Sequence, residues 1–202
     1  MYKNLLQIYD ADDWLMRSTG ALRGADETIG VSGGIKGLIK ALDKLVSEGN
    51  VFGHAVFHTH GNEGLIAFNN DRITTQVLKE KFTDRKYERL FPIFSRIYFN
   101  GCKVTAGDAG WEFLETAGAI FLRNMGGQTF GHTDSGYPLA PYLLTGLLSY
   151  WKTRGHSPHQ PGTTRYVTFG PGGAILEGRP QPGGIPPPTF PEKERVWKGT
   201  MQ

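Results

Sequence analysis

The hydrophobic positions of this chain fall into two kinds of segment that alternate along it. Ile35, Leu38, Ile39, Leu42, Leu45 and Val46 recur at helical spacing after Ser32, and Gly49-Asn50 supplies a stop, which predicts an amphipathic helix. Val51 to His58 follows at once and is too continuously apolar for a half-exposed strand, so it reads as an interior strand of a parallel sheet covered on both faces. Ile93 to Phe99 has the same character. Asn4 to Tyr9 predicts a first strand that breaks into the acidic turn Asp10-Ala11-Asp12-Asp13, with a Gly-rich loop running on to Gly30.

Shorter signals fill the gaps. Leu65 to Phe68 and Gln128 to Gly131 read as short strands, Thr74 to Phe82 and Pro141 to Tyr150 as helices, and Gly110 to Asn124 as a helix with Phe113, Leu114, Ala117, Ile120 and Phe121 on one face. Gly126-Gly127 terminates that last helix and is no phosphate cradle, since no Lys-Ser or Lys-Thr pair follows. Tyr166 to Phe169 and Ala174 to Leu176 predict a terminal hairpin around Gly170-Pro171-Gly172-Gly173. Strand and helix in alternation predict an α/β fold with a largely parallel sheet.

From Gly178 onward the composition changes: Arg179-Pro180-Gln181-Pro182 and Ile185-Pro186-Pro187-Pro188 cannot donate a regular hydrogen-bond ladder and bring little to bury. Residues 1–177 are therefore expected to form one domain and 178–202 an extended Pro-rich arm. A chain of 202 residues, 39% hydrophobic and 20% charged, fits a single soluble domain with extensions. The net charge of +3 and pI near 8.9 come from scattered Lys and Arg with no basic run, so no nucleic-acid partner is implied. No apolar run is long enough to span a bilayer, and the acidic residues after Tyr9 interrupt any signal peptide, so the expectation is a cytoplasmic protein without a membrane partner, export by a signal-independent system aside.

Ligands of open α/β sheets gather at the carboxyl ends of strands. Two reactive residues fall at such ends here, His60 after the Val51 strand and Cys102 after the Ile93 strand. Adjacent parallel strands lie about 4.8 Å apart, so side chains from both ends can reach one substrate carbonyl if the strands are neighbours. Cys102 is the sole cysteine, which excludes an intrachain disulfide and leaves it either a core thiol or a nucleophile. With Gly61 and Gly101 permitting close approach, the arrangement is that of a Cys/His dyad: Cys102 attacks an acyl carbon, the N–H groups of Gly61 and Cys102 hold the oxyanion, and His60 protonates the leaving amine. Such a dyad requires no cofactor or metal.

His60-Gly61 after an apolar strand, Asn100-Gly101-Cys102 after the next, and the helix Gly110-Trp111-Glu112-Phe113-Leu114 behind them resemble the caspase-like cysteine peptidases, the group that includes metacaspases, gingipains, clostripain and separase. The resemblance is closest to bacterial caspase-like domains and spans roughly Asn4 to Leu176. It implies a caspase-like three-layer sandwich and a cysteine endopeptidase with the dyad His60 and Cys102, acting on a protein or peptide substrate in a bacterial defence, cell-death or effector setting. It also leaves room for an activating or regulatory partner, a calcium ion or a cleavage that relieves latency. The stretch Phe99-Asn100-Gly101-Cys102-Lys103 differs from the Gln-Ala-Cys of caspases and the Asp-Ser-Cys-His of metacaspases, which bears on specificity more than on the dyad.

In that family the loop after the first strand commonly contributes to the pocket for the residue before the scissile bond. Asp10, Asp12 and Asp13 would there favour Lys or Arg; a solvated acidic turn accounts for them equally well. His58 reads as a supporting group inside the strand, His54 as a hydrogen-bonded core residue, and His156 and His159 as loop histidines. A zinc site of His58, His60 and Cys102 lacks an evident fourth ligand. The reading from a different class is a catalytically silent caspase-like module that binds a protein partner.

Overall fold

The structure, a computed structural model, describes residues 1–20, 25–92, 94–135 and 164–179. The helix expected at 141–150, His156, His159 and nearly all of the Pro-rich arm lie outside them. The elements run β1 (Tyr2–Asp10), α1 (Trp14–Gly20), β2 (Glu27–Val31), α2 (Gly34–Ser47), β3 (Val51–His58), β4 (His60–Asn62), β5 (Leu65–Phe68), β6 (Asp71–Thr74), α3 (Thr75–Lys81), β7 (Ser95–Asn100), α4 (Gly107–Phe121), β8 (Gly127–His132), β9 (Thr164–Phe169) and β10 (Ile175–Glu177), with 3-10 turns at Arg85–Leu90 and Pro171–Gly173.

Among the described residues, seven strands form the main sheet in the order β10-β9-β8-β7-β3-β1-β2. The pairs from β2 to β8 are parallel, and the terminal hairpin adds β9 and β10 antiparallel. This is a mixed α/β architecture with a mainly parallel sheet. The two continuous apolar runs are neighbours near its centre, as their double-sided burial requires. Phe57 of β3 pairs with Ile8 of β1 on one side and Phe99 of β7 on the other.

Alternation along the strands divides the side chains between two faces. Leu6, Ile8, Ala55, Phe57, Ile97 and Phe99 join one core with Leu38, Leu42 and Leu45 of α2 and Phe113, Leu114 and Ala117 of α4. The Phe57 and Phe99 rings stack at 5.3 Å, and the Phe113 edge meets Phe99 at 5.0 Å, so this aromatic column fixes α4 directly behind the carboxyl end of β7. Leu5, Val56 and Tyr98 face the other way with Phe130 against them.

A second, three-stranded antiparallel sheet, β4-β5-β6, stands at the carboxyl edge. Its β5–β6 turn places Asn69 at φ 54, a left-handed conformation that asparagine tolerates in tight hairpins. The Asn69 N–H donates to the buried carboxylate of Asp10 at the end of β1, and Asp71 accepts from Ile35 N–H at the start of α2. The first bond fastens the small sheet to the large one, and the second fastens it to α2. The stretch up to Gly30, expected as a loop, contains α1 and most of β2.

Candidate active site

Three strands end side by side at the carboxyl edge, in the order β7, β3, β1. From β7 the chain passes through Asn100 and Gly101 to Cys102, which is half-buried. From β3 it passes through the buried Thr59 to His60, which opens β4 with its side chain 54% exposed. From β1 it enters the acidic turn that precedes α1.

The Cys102 and His60 segments abut through their glycines. A Cβ on Gly61 would lie 3.1 Å from the Gly101 Cα, 3.0 Å from the Cys102 carbonyl oxygen and 2.5 Å from a Val104 methyl; a Cβ on Gly101 would lie 3.1 Å from both Cα and N of Gly61. Any side chain at either position would push the two strand ends apart. Gly101→Ala is therefore expected to destabilise the fold by about 1–3 kcal/mol, as overpacking does, and to separate His60 from Cys102. Chemical denaturation checks the first effect and Cys102 alkylation the second. Unchanged values for both would mean that the contact does not hold the segments together.

The acidic turn supplies the third part of the site. Asp13 Oδ2 lies 3.1 Å from His60 Nε2, while its Oδ1 accepts from Met16 N–H and so caps α1. Burial opposes ionisation of Asp13, but the bonds from the Met16 N–H, His60 and the Leu15 N–H outweigh it and hold the carboxyl below its ordinary value. His60 thus has an anionic partner on Nε2, which leaves Nδ1 as its other proton-carrying nitrogen. Comparison with protein-family models and with curated proteins gives no match.

The three aspartates expected to share one substrate pocket have three separate duties. Asp10 is 1% exposed and holds Asn69 and Asp12 N–H groups; Asp12, on the surface, accepts from Gly33 N–H; Asp13 pairs with His60. The Asp13–His60 pairing has no local sequence signal, because it joins positions 47 apart.

His58 is buried between the strand ends, and its Nδ1 accepts from the Asn100 amide at 2.9 Å while the Asn100 Oδ1 accepts from the Tyr98 hydroxyl. His58 and Asn100 are registered partners of β3 and β7, so this side-chain bridge ties together the strands that lead to His60 and Cys102. The part that Asn100 plays is the one that its place before Gly101 did not reveal. His54, lower in β3, is held below its ordinary pKa by burial and by the neighbouring Arg96. Among the described residues no three His, Cys, Asp or Glu side chains converge as a metal site requires, and the rings of His58 and His60 turn to different partners. The Gly61 nitrogen, expected to serve an oxyanion, lies at the contact with Gly101.

Proposed function

We propose that the protein is a caspase-like cysteine peptidase in which Cys102 is the nucleophile, His60 the proton carrier and Asp13 its anionic partner. The observation that carries the reading is the abutment of His60-Gly61 on Gly101-Cys102 at one carboxyl edge, with the imidazole already paired to Asp13. The parallel order β8-β7-β3-β1-β2 supports the fold part of the proposal, a three-layer sandwich of the caspase-like kind.

In this mechanism the Cys102 thiolate adds to the scissile carbonyl carbon, and the oxygen takes up the displaced electron pair facing the Cys102 N–H. Collapse expels the amine, which leaves with a proton from His60, and forms a thioester on Cys102. Water then attacks the thioester, giving one proton to His60, and collapse releases the carboxylic acid and restores the Cys102 thiolate beside the protonated His60. Asp13 steadies the imidazolium in both halves. For a preference for Lys or Arg before the scissile bond, the surface carboxylate of Asp12 is the supporting group, since Asp10 is enclosed and Asp13 is engaged by His60.

The test is the rate at which iodoacetamide alkylates Cys102 near neutral pH, followed by intact mass. The expected result is alkylation that slows on His60→Ala and exceeds that of the denatured chain. Equal rates in the folded, variant and denatured proteins would favour the silent binding module. A peptide library read by mass spectrometry then gives the cleavage preference, and selection of an acidic or apolar residue would remove Asp12 from the account.

A further inference from the structure

The loop between β7 and α4 carries Cys102, and its backbone is not relaxed. Lys103, the residue after the cysteine, sits at φ 54, where a non-glycine side chain is disfavoured. Such a conformation persists only when the surroundings over-determine it. The described anchors of this loop come from three directions. Lys103 N–H donates to the Asp134 carbonyl at 2.7 Å and Thr105 N–H to the His132 carbonyl, both beyond or at the end of β8; Val104 accepts from Gly64 N–H of the small sheet. The third direction is β9. Arg165 Nη1 donates to the Thr105 carbonyl at 2.8 Å and to the Gly107 carbonyl at 2.9 Å.

We infer that Arg165 is the positioning residue of the nucleophile loop, a role that rests on the reading of Cys102 as nucleophile. One guanidinium nitrogen has two hydrogens, and here each is directed to a carbonyl on either side of Ala106, where the loop turns into α4. The guanidinium carbon lies 5.1 Å from the centre of the Trp111 ring on α4. The ring contact holds the guanidinium on one side and the two bonds fix its reach, so the clamp has little freedom left. Thr105 is fully buried, and its carbonyl depends on this donor at a point three residues from Cys102. A lysine can supply the charge and one bond, but neither the planar fork nor the stack.

The consequence concerns alignment more than stability. A misplacement of about 1 Å between reacting groups can cost about a hundredfold in rate, far more than its effect on folding. Arg165→Met should therefore lower kcat for peptide cleavage by about 10- to 100-fold with KM little changed, and Arg165→Lys should recover part of the loss. The deciding measurement is a double-mutant cycle on iodoacetamide alkylation of Cys102, using the full chain, its His60→Ala form, its Arg165→Met form and the double variant. If Arg165 aligns the thiol with His60, the effect of His60→Ala shrinks towards unity once Arg165 is removed. If Arg165 merely supports the fold, both backgrounds lose rate alike and the His60 effect is unchanged, which overturns the inference. If His60→Ala has no effect even with Arg165 present, it is the peptidase reading that fails. Should Arg165→Met not fold, the same cycle with Arg165→Lys decides, with an undiminished His60 effect again counting against the clamp.

Discussion

Cys102→Ala and His60→Ala should each reduce peptide cleavage by about a thousandfold or more while leaving the melting temperature near that of the parent protein. The size follows from the proposed roles: the nucleophile in one case, and a proton transfer worth about 10²- to 10⁴-fold in the other. The neutral effect on folding follows from exposure. The His60 side chain is 54% exposed, and Cys102 is only half-buried, so neither truncation opens a large cavity in the aromatic core behind them. The double variant should be hardly slower than either single one, because the two residues act as a unit. Activity within about tenfold of the parent for either variant would contradict the mechanism.

Asp13→Asn should slow cleavage by about 10- to 100-fold, less than loss of a buried triad carboxylate because the Asp13 side chain is 27% exposed and the pair is partly screened by water. Asparagine keeps the cap on α1 through Met16 N–H but loses the charge that steadies the imidazolium. Asp13→Ala loses both and should cost about 1 kcal/mol more in stability than Asp13→Asn. The pH dependence has a definite sign. The carboxyl is held below its ordinary value of 3.8 in the folded protein, so its contribution to stability is fully present above that value and is lost as pH falls through the lowered one. Acid unfolding curves of Asp13→Asn should diverge from those of the parent above pH 3.8 and converge with them below. Equal cleavage rates for parent and Asp13→Asn across pH would show that His60 works without its partner.

The parts of this fold that bury continuous apolar surface were legible in the sequence. The β3 and β7 runs announced two interior parallel strands, and the periodic stripes of α2 and α4 announced the layer against them, because burial on a packed face leaves a pattern in composition. The stretch from Trp14 to Val31 left no such pattern. Strand β2 is an edge in which only Val31 is buried, and Gly30, read as part of a loop, is glycine because the Tyr9 ring occupies the space of a side chain, with a Cβ there falling 2.7 Å from the hydroxyl oxygen. Strands β4 and β6 are short and polar, held by pairing more than by burial. At the site, glycine before cysteine and after histidine was a local cue to close approach. The use of Asp13 by His60, and of Arg165 by the cysteine loop, depends on which distant strands become neighbours, and no local composition encodes that.

Asp13, His60 and Cys102 stand at the ends of three strands that are consecutive in the sheet and far apart in the chain. While the chain is being synthesised they emerge one after another: Asp13 and His60 become neighbours once β3 lies against β1, and the Cys102 segment joins them only when β7 pairs with β3. Parallel pairings of this span close late, since the loop entropy must be met before the contacts repay it. In a nascent or unfolded copy the thiol and the imidazole are therefore remote from each other, and the candidate site is assembled together with the sheet. The three candidate residues thus gain one another as neighbours only as the central strands of the sheet come together.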